Sequence, residues 1–160
     1  MNKLLLIIDV QNSFINQNTM FLLDKINNLI AEEKYNNIVF TRFINDENNM
    51  CYKKLKYTGC IKEEERRISI ETRGKKVIDK STYTALNEEL IKYLCENNIN
   101  EIYLCGIDTE CCVLKTALDM FEKGYNIYIL KDYCACTHGI ERHNNAIKIL
   151  ERNIGKKFII

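Results

Sequence analysis

Short apolar runs rich in Ile, Val, Leu and Tyr recur along the chain at LLLIID (4–9), NIVFTRF (37–43), KVIDK (76–80), EIYLCGI (101–107), NIYILKD (126–132) and KFII (157–160). Several are apolar throughout rather than alternating, the pattern of strands covered by helices on both faces. Between most of them, apolar positions return with a helical period over residues 19–34, 84–98, 109–123 and 138–153. Alternating strand and helix implies right-handed crossovers and a parallel, doubly wound sheet. The expected class is α/β: a three-layer α/β/α sandwich around a six-stranded, Rossmann-like parallel sheet, in one domain over residues 1–160. Residues 44–75 break the alternation. They read as a long polar connection with one short helix near 50–57, of the kind that forms binding loops or lids. The KEEERR run at 62–67 reads as a solvated face or part of that lid.

Ligands of such sheets sit outside the carboxyl ends of the strands, near a switch in strand order. Polar residues at strand ends are therefore the candidates for chemistry: Asp9, Thr41, Arg42, Lys80, the turn at 107–112 and Asp132.

Composition narrows the partners. The chain has 23 Lys and Arg against 22 Asp and Glu, a net charge of +1, so nothing electrostatic favours nucleic acid or an anionic membrane. A small-molecule substrate is expected. The opening MNKLLLIIDV is too short an apolar run for a secretion signal and is broken by Asp9 and Gln11. No stretch approaches the roughly 18 apolar residues of a membrane span. Eight cysteines without a secretion signal suggest reduced thiols, and a cytoplasmic protein is expected.

Two of those cysteines are adjacent, in GIDTECCVLKTA (106–117), at the start of the third helical stretch. With Thr109 as cap and Glu110 in the first turn, 100° per residue sets Cys111 beside Leu114 and Leu118, in an arc completed by Val113, Ala117, Met120 and Phe121. Cys111 is expected to pack. Cys112 falls above Thr116, Asp119 and Lys123, a polar stripe that can face a pocket. A thiol with a pKa of about 8.5 is a weak nucleophile at neutral pH, and a helix terminus shifts it by less than about one unit. A cation and a proton acceptor are needed as well. Lys80 and Asp9 close neighbouring strands and supply both types.

The stretches LLLIIDVQNSF (4–14), TRF (41–43), VIDKSTYTAL (77–86) and GIDTECCVLKTALDMFEKGYNIYILKDYCACT (106–137) together resemble the isochorismatase-like cysteine hydrolases, the superfamily of nicotinamidases and N-carbamoylsarcosine amidohydrolase. The resemblance implies Cys112, directly before a valine, as nucleophile, Asp9 as general base and Lys80 as the catalytic lysine. It also implies a cis peptide at Ile107-Asp108 that aims the amides of Asp108 and Cys112 at one point as an oxyanion hole. The implied reaction is hydrolysis of a small amide, carbamoyl or ureido compound through an acyl thioester, with release of amine or ammonia. Phe14, Arg42, Tyr83 and Asn45 are the expected substrate contacts. Relatives of this kind are dimers or tetramers, so a homo-oligomer is implied.

Metal-dependent nicotinamidases place an Asp and several His after the second strand. Residues 43–75 here contain no histidine, so neither a metal nor another cofactor is expected. Cys134, Cys136 and His138 lack the partner pair of a zinc site and read as packing and loop residues near the active site or a subunit interface. The competing readings are a thiol redox protein, a small-molecule-binding protein on the same fold, and a vinyl-ether hydrolase of the isochorismatase type.

Overall fold

Leu4, Leu5, Leu6, Ile7 and Ile8 are all fully buried in the computed structural model, which describes residues 2–160. A strand with no polar face suits only the middle of a sheet covered on both sides. That strand, β1 (Asn2–Ile8), pairs with β2 (Asn37–Phe43) on one edge and β4 (Ile99–Ile107) on the other. β3 (Lys76–Lys80) extends the sheet beyond β2, and β5 (Ile127–Ala135) beyond β4. The order is β3-β2-β1-β4-β5, with every pairing parallel. Because the chain steps outward through β2 and β3 and then returns to the far side of β1, the carboxyl ends of β1 and β4 flank the switch point.

The helices are α1 (Leu22–Ala31), α2 (Met50–Leu55), α3 (Glu63–Arg66), α4 (Glu88–Glu96), α5 (Leu114–Glu122) and α6 (Ile140–Leu150). α4 starts later than its periodicity predicts because Asn87 caps it, its Oδ1 accepting from the Leu90 amide at 2.9 Å. The residues before it form a turn in which the Ala85 amide donates to Thr116 Oγ1 at 2.9 Å.

The sheet has five strands where six are expected. Gly155, at φ 100°, leads into a 3-10 turn over Lys156–Phe158 that sets the Phe158 ring against Tyr128 at 5.7 Å. Only Ile159 and Ile160 then extend along β5, and Ile159 makes a single bridge to Ile129.

The 44–75 connection holds two short helices rather than one. It is strapped to the sheet: Arg66 turns inward and donates to the carbonyls of Cys60 and Asn45 at 2.9 and 2.8 Å. Gln11, just past β1, donates to the carbonyls of Phe43 and Arg66 and accepts from the Phe43 amide at 2.7 Å. Among the described residues no helix is long and apolar enough to cross a membrane.

Candidate active site

Gly106 lets β4 approach β1 at the sheet's carboxyl edge. A Cβ there would lie 2.1 Å from the Ile8 carbonyl oxygen, and φ is 125°, so no other residue fits without displacing the strand. Asp9 follows Ile8 directly, with φ 48°. Its amide donates to Thr41 Oγ1 at 3.2 Å, and the Thr41 hydroxyl donates to Asp9 Oδ1 at 2.6 Å. Oδ2 is left for Lys80, whose Nζ lies 2.7 Å away.

Lys80 ends β3 and is 4% exposed. Its Nζ also donates to the carbonyls of Thr82 and Tyr83 at 2.8 and 3.2 Å and to Cys112 Sγ at 3.5 Å. The Phe43 ring lies 5.3 Å from the ammonium. The ammonium is thus ion-paired with Asp9 Oδ2 and hydrogen-bonded to three further acceptors, of which the sulfur is the most distant. Asp9, Lys80 and Cys112, drawn from three strand ends, meet in one buried cluster.

Cys112 sits in a single π-helical turn, Thr109–Val113, between the cis peptide Ile107-Asp108 and α5. The amides of Cys111 and Val113 both donate to the Asp108 carbonyl at 3.1 Å. The Asp108 carboxylate accepts from the Thr137 amide at 2.5 Å and its hydroxyl at 2.9 Å.

The wider turn changes the helical-wheel picture. The face of this segment that is buried carries Thr109, Cys112, Val113, Thr116, Ala117 and Met120, so Thr116 packs in the interior together with residues of the expected apolar arc. Leu114 and Leu118 are only half-buried, and Phe121 is exposed. Cys111 packs partly against the core and also borders the same cavity as Cys112.

Burial is the main influence on the Cys112 thiol and pushes its pKa well above the ordinary value. The Asp9 carboxylate adds to this, and Lys80 opposes it. The resting thiol is thus held toward its protonated form, which fits a sulfur that needs a proton acceptor beside it. Burial alone would lower the Lys80 pKa, but Asp9 and Cys112 outweigh it and raise it. Cys111 is pushed up to about 11, first by burial and then by Asp108 and Glu110.

A cavity of about 620 Å³ opens onto Cys112. Phe14, Phe43, Leu55, Tyr57 and Tyr83 give it apolar walls, and Lys56, Asp108, Cys111 and His138 add polar groups. Phe14 and Tyr83 are thus brought to the site. Arg42 is not. Successive strand residues alternate sides, so Thr41 faces Asp9 while Arg42 pairs with Asp79 at 2.7 and 2.9 Å and with Glu63 at 3.6 Å, in a separate surface groove. Asn45 is fully buried away from the cavity wall, its Nδ2 donating to the carbonyls of Tyr57 and Gly59 at 2.9 Å each. Asp132 lies inside β5, which continues to Ala135, and its carbonyl accepts from Lys25 at 3.2 Å.

Lys56, Tyr57 and Phe43 were not singled out by the sequence. The first two are brought in by the 44–75 connection, whose path carries no periodic signal. Cys134 and Cys136 are buried, Cys134 Sγ donating to the Leu130 carbonyl at 3.3 Å, while exposed His138 reaches the cavity rim. Among the described residues no three His, Cys, Asp or Glu side chains gather as metal ligands.

Comparison with known proteins agrees with this architecture. The isochorismatase family protein 1A of Dictyostelium discoideum is 27% identical over 151 residues, covering 88% of this chain and 66% of that protein. Two other curated relatives are matched over only 29% and 31% of their lengths, so the chain spans less than two thirds of each of the three. The pyrazinamidase/nicotinamidase of Streptococcus mutans superposes with a TM-score of 0.82 at 23% identity, covering 99% of this chain and all of that one. The N-carbamoylsarcosine amidase of Thermoplasma acidophilum superposes at 0.80 and 20% identity, over 97% and 94%. These two show a shared fold. The isochorismatase domain model matches residues 3–157, nearly the full length described, and the chain belongs to the isochorismatase family.

Proposed function

We propose that the chain is a cysteine hydrolase that cleaves a small amide, carbamoyl or ureido compound through an acyl thioester, releasing an amine or ammonia. The observation that carries this reading is Lys80 Nζ held between Asp9 Oδ2 at 2.7 Å and Cys112 Sγ at 3.5 Å, beside a substrate-sized cavity. The names of the two amidases that share the fold point to the same class of bond.

At rest the cluster holds a carboxylate, an ammonium and a neutral thiol. Transfer of the thiol proton to Asp9 Oδ2 turns this into a carboxylic acid, an ammonium and a thiolate. Net charge is unchanged, so no ion has to be taken from water into the interior, where an uncompensated charge would cost many kcal/mol. The Lys80 ammonium loses its carboxylate partner as it gains a sulfur anion. The thiolate attacks the carbonyl carbon, and the amides of Asp108 and Cys112 hold the oxygen that becomes charged. Asp9 returns the proton to the leaving nitrogen, the C–N bond breaks and a thioester remains. Water then gives a proton to Asp9 and its oxygen to the acyl carbon, the C–S bond breaks, and the sulfur recovers its proton. Phe14 and Tyr83 bound the acyl group.

The test is a panel of amides, carbamoyl compounds and ureides assayed for ammonia release, with and without a chelator. At least one class is turned over, and the chelator leaves the rate unchanged. Cys112→Ala lowers turnover by about 10⁴-fold or more, on the scale of a lost nucleophile, while Cys111→Ala keeps it within about fivefold. Full turnover in Cys112→Ala, or loss in Cys111→Ala, would refute the assignment.

A further inference from the structure

Three consecutive residues ahead of the cysteine pair are each gripped by the segment that follows β5. Asp108 is held by Thr137, Thr109 Oγ1 lies 2.8 Å from His143 Nδ1, and Glu110 pairs with Arg142 at 3.3 Å. These grips differ in weight. Arg142 is exposed, and an ion pair of that kind contributes little. His143 and Thr109 are buried, and a hydrogen bond between buried side chains costs much more to remove.

We infer that His143 is a positioning residue, which fixes the nucleophile turn through Thr109 and so sets where the Cys112 sulfur and amide point. The inference rests on Cys112 being the nucleophile. The turn needs such support because it is π-helical: Cys111 and Val113 both take the Asp108 carbonyl, and the Cys112 amide is not among its donors. An amide that is to receive an oxyanion has to be free of an intrahelical partner, so its direction must be held from outside. α6 does this from outside the substrate cavity, whose lining does not include His143. Burial lowers the His143 pKa, against a smaller opposing effect of Asp132. Misplacement of a reacting group by about 1 Å costs on the order of 100-fold in rate, so a modest shift of this turn is enough to be read.

The experiment compares His143→Leu, which removes the polar contact, with His143→Asn, whose side chain can place a polar atom near the Nδ1 position. Each is assayed for kcat and KM on the best substrate of the panel and for the rate of Cys112 alkylation by iodoacetamide, mapped by mass spectrometry. His143→Leu lowers kcat by about 10- to 100-fold with KM within about twofold, and alters Cys112 alkylation by at least about threefold. His143→Asn recovers most of both. Should His143→Leu not fold, Thr109→Val serves as the second probe, compared with Thr109→Ser, which keeps the hydroxyl. Folded variants lacking the contact with kcat and alkylation unchanged would overturn the inference, as would equal losses in the Leu and Asn forms. If wild type releases no ammonia from any compound, it is the proposed function that has failed, and the alkylation rates still decide the role of His143.

Discussion

The Thr41 hydroxyl donates to Asp9 Oδ1 at 2.6 Å while its oxygen accepts the Asp9 amide at 3.2 Å, so one side chain on β2 fixes both the backbone and the carboxylate of the residue that ends β1. The bond decides which oxygen does what. Oδ1 is committed to Thr41, and Oδ2 faces the Lys80 ammonium, the group shared with Cys112.

Thr41→Val keeps the shape of the side chain and removes both bonds. The carboxylate can then rotate, and Oδ2 is no longer presented to the thiol in one orientation. We expect kcat to fall by about tenfold or more, in the range by which a positioned proton acceptor accelerates a reaction. Stability should drop by about 1–3 kcal/mol, because a buried acceptor and a buried amide lose their partner. Steady-state kinetics with urea denaturation checks both; an unchanged kcat would mean that Thr41 is only a structural contact.

The protonated resting thiol makes a claim about pH. A folded pKa raised above the unfolded value means that the native state keeps its proton where the unfolded chain has lost it. The stabilisation is therefore complete below the unfolded pKa and declines as pH rises above it. For Cys112 the decline starts near its ordinary value of 9.0, and the raised pKa of Lys80 acts in the same direction from about 10.5 upward. Between pH 9 and 10 Cys112→Ser should lose less stability than wild type, by up to about 1.4 kcal/mol per pH unit for the one proton. Urea midpoints measured across this range test it, and parallel pH curves for the two proteins would contradict a raised Cys112 pKa.

Much of this arrangement was legible in the order of residues, and what was not has identifiable causes. The unbroken apolar run of β1 announced a strand covered on both faces, and the rule that ligands lie beyond carboxyl ends selected Asp9, Lys80 and the turn after β4. An ideal wheel separates Cys112 from Cys111 on a polar stripe that can face a pocket, yet the turn is π-helical, and of that stripe Cys112 and Thr116 are buried while Asp119 is half-buried and Lys123 exposed. A one-residue change of helical phase lies below what periodicity resolves. The sixth strand failed for a similar reason: KFII has a strand's composition, but Gly155 directs it into a 3-10 turn. Lys56 and Tyr57 were missed because a long polar connection does not reveal which of its residues folds back over the sheet.

Arg42 and Phe14, both expected to touch substrate, now separate. Arg42 sits on the face of β2 opposite Thr41, its guanidinium forked onto the Asp79 carboxylate of β3 and close to Glu63. Asp79 is the residue paired with Arg42 in the strand register, so the contact is a cross-strand one that fastens β3 and leaves the guanidinium outside the cavity. A partly exposed pair of this kind contributes about 0.2–1 kcal/mol. Arg42→Ala is therefore expected to leave kcat/KM within about twofold and to lower stability by no more than about 1 kcal/mol. Phe14 borders the cavity and packs on the core edge. Phe14→Ala takes away apolar surface that the substrate would bury, and loss of about 1.4 kcal/mol of contact corresponds to a tenfold rise in KM. Michaelis constants for the two variants on one substrate decide the matter. A large rise in KM for Arg42→Ala would require the 63–80 region to reach the substrate after all, and an unchanged KM for Phe14→Ala would move the acyl-binding wall to Tyr57 and Tyr83.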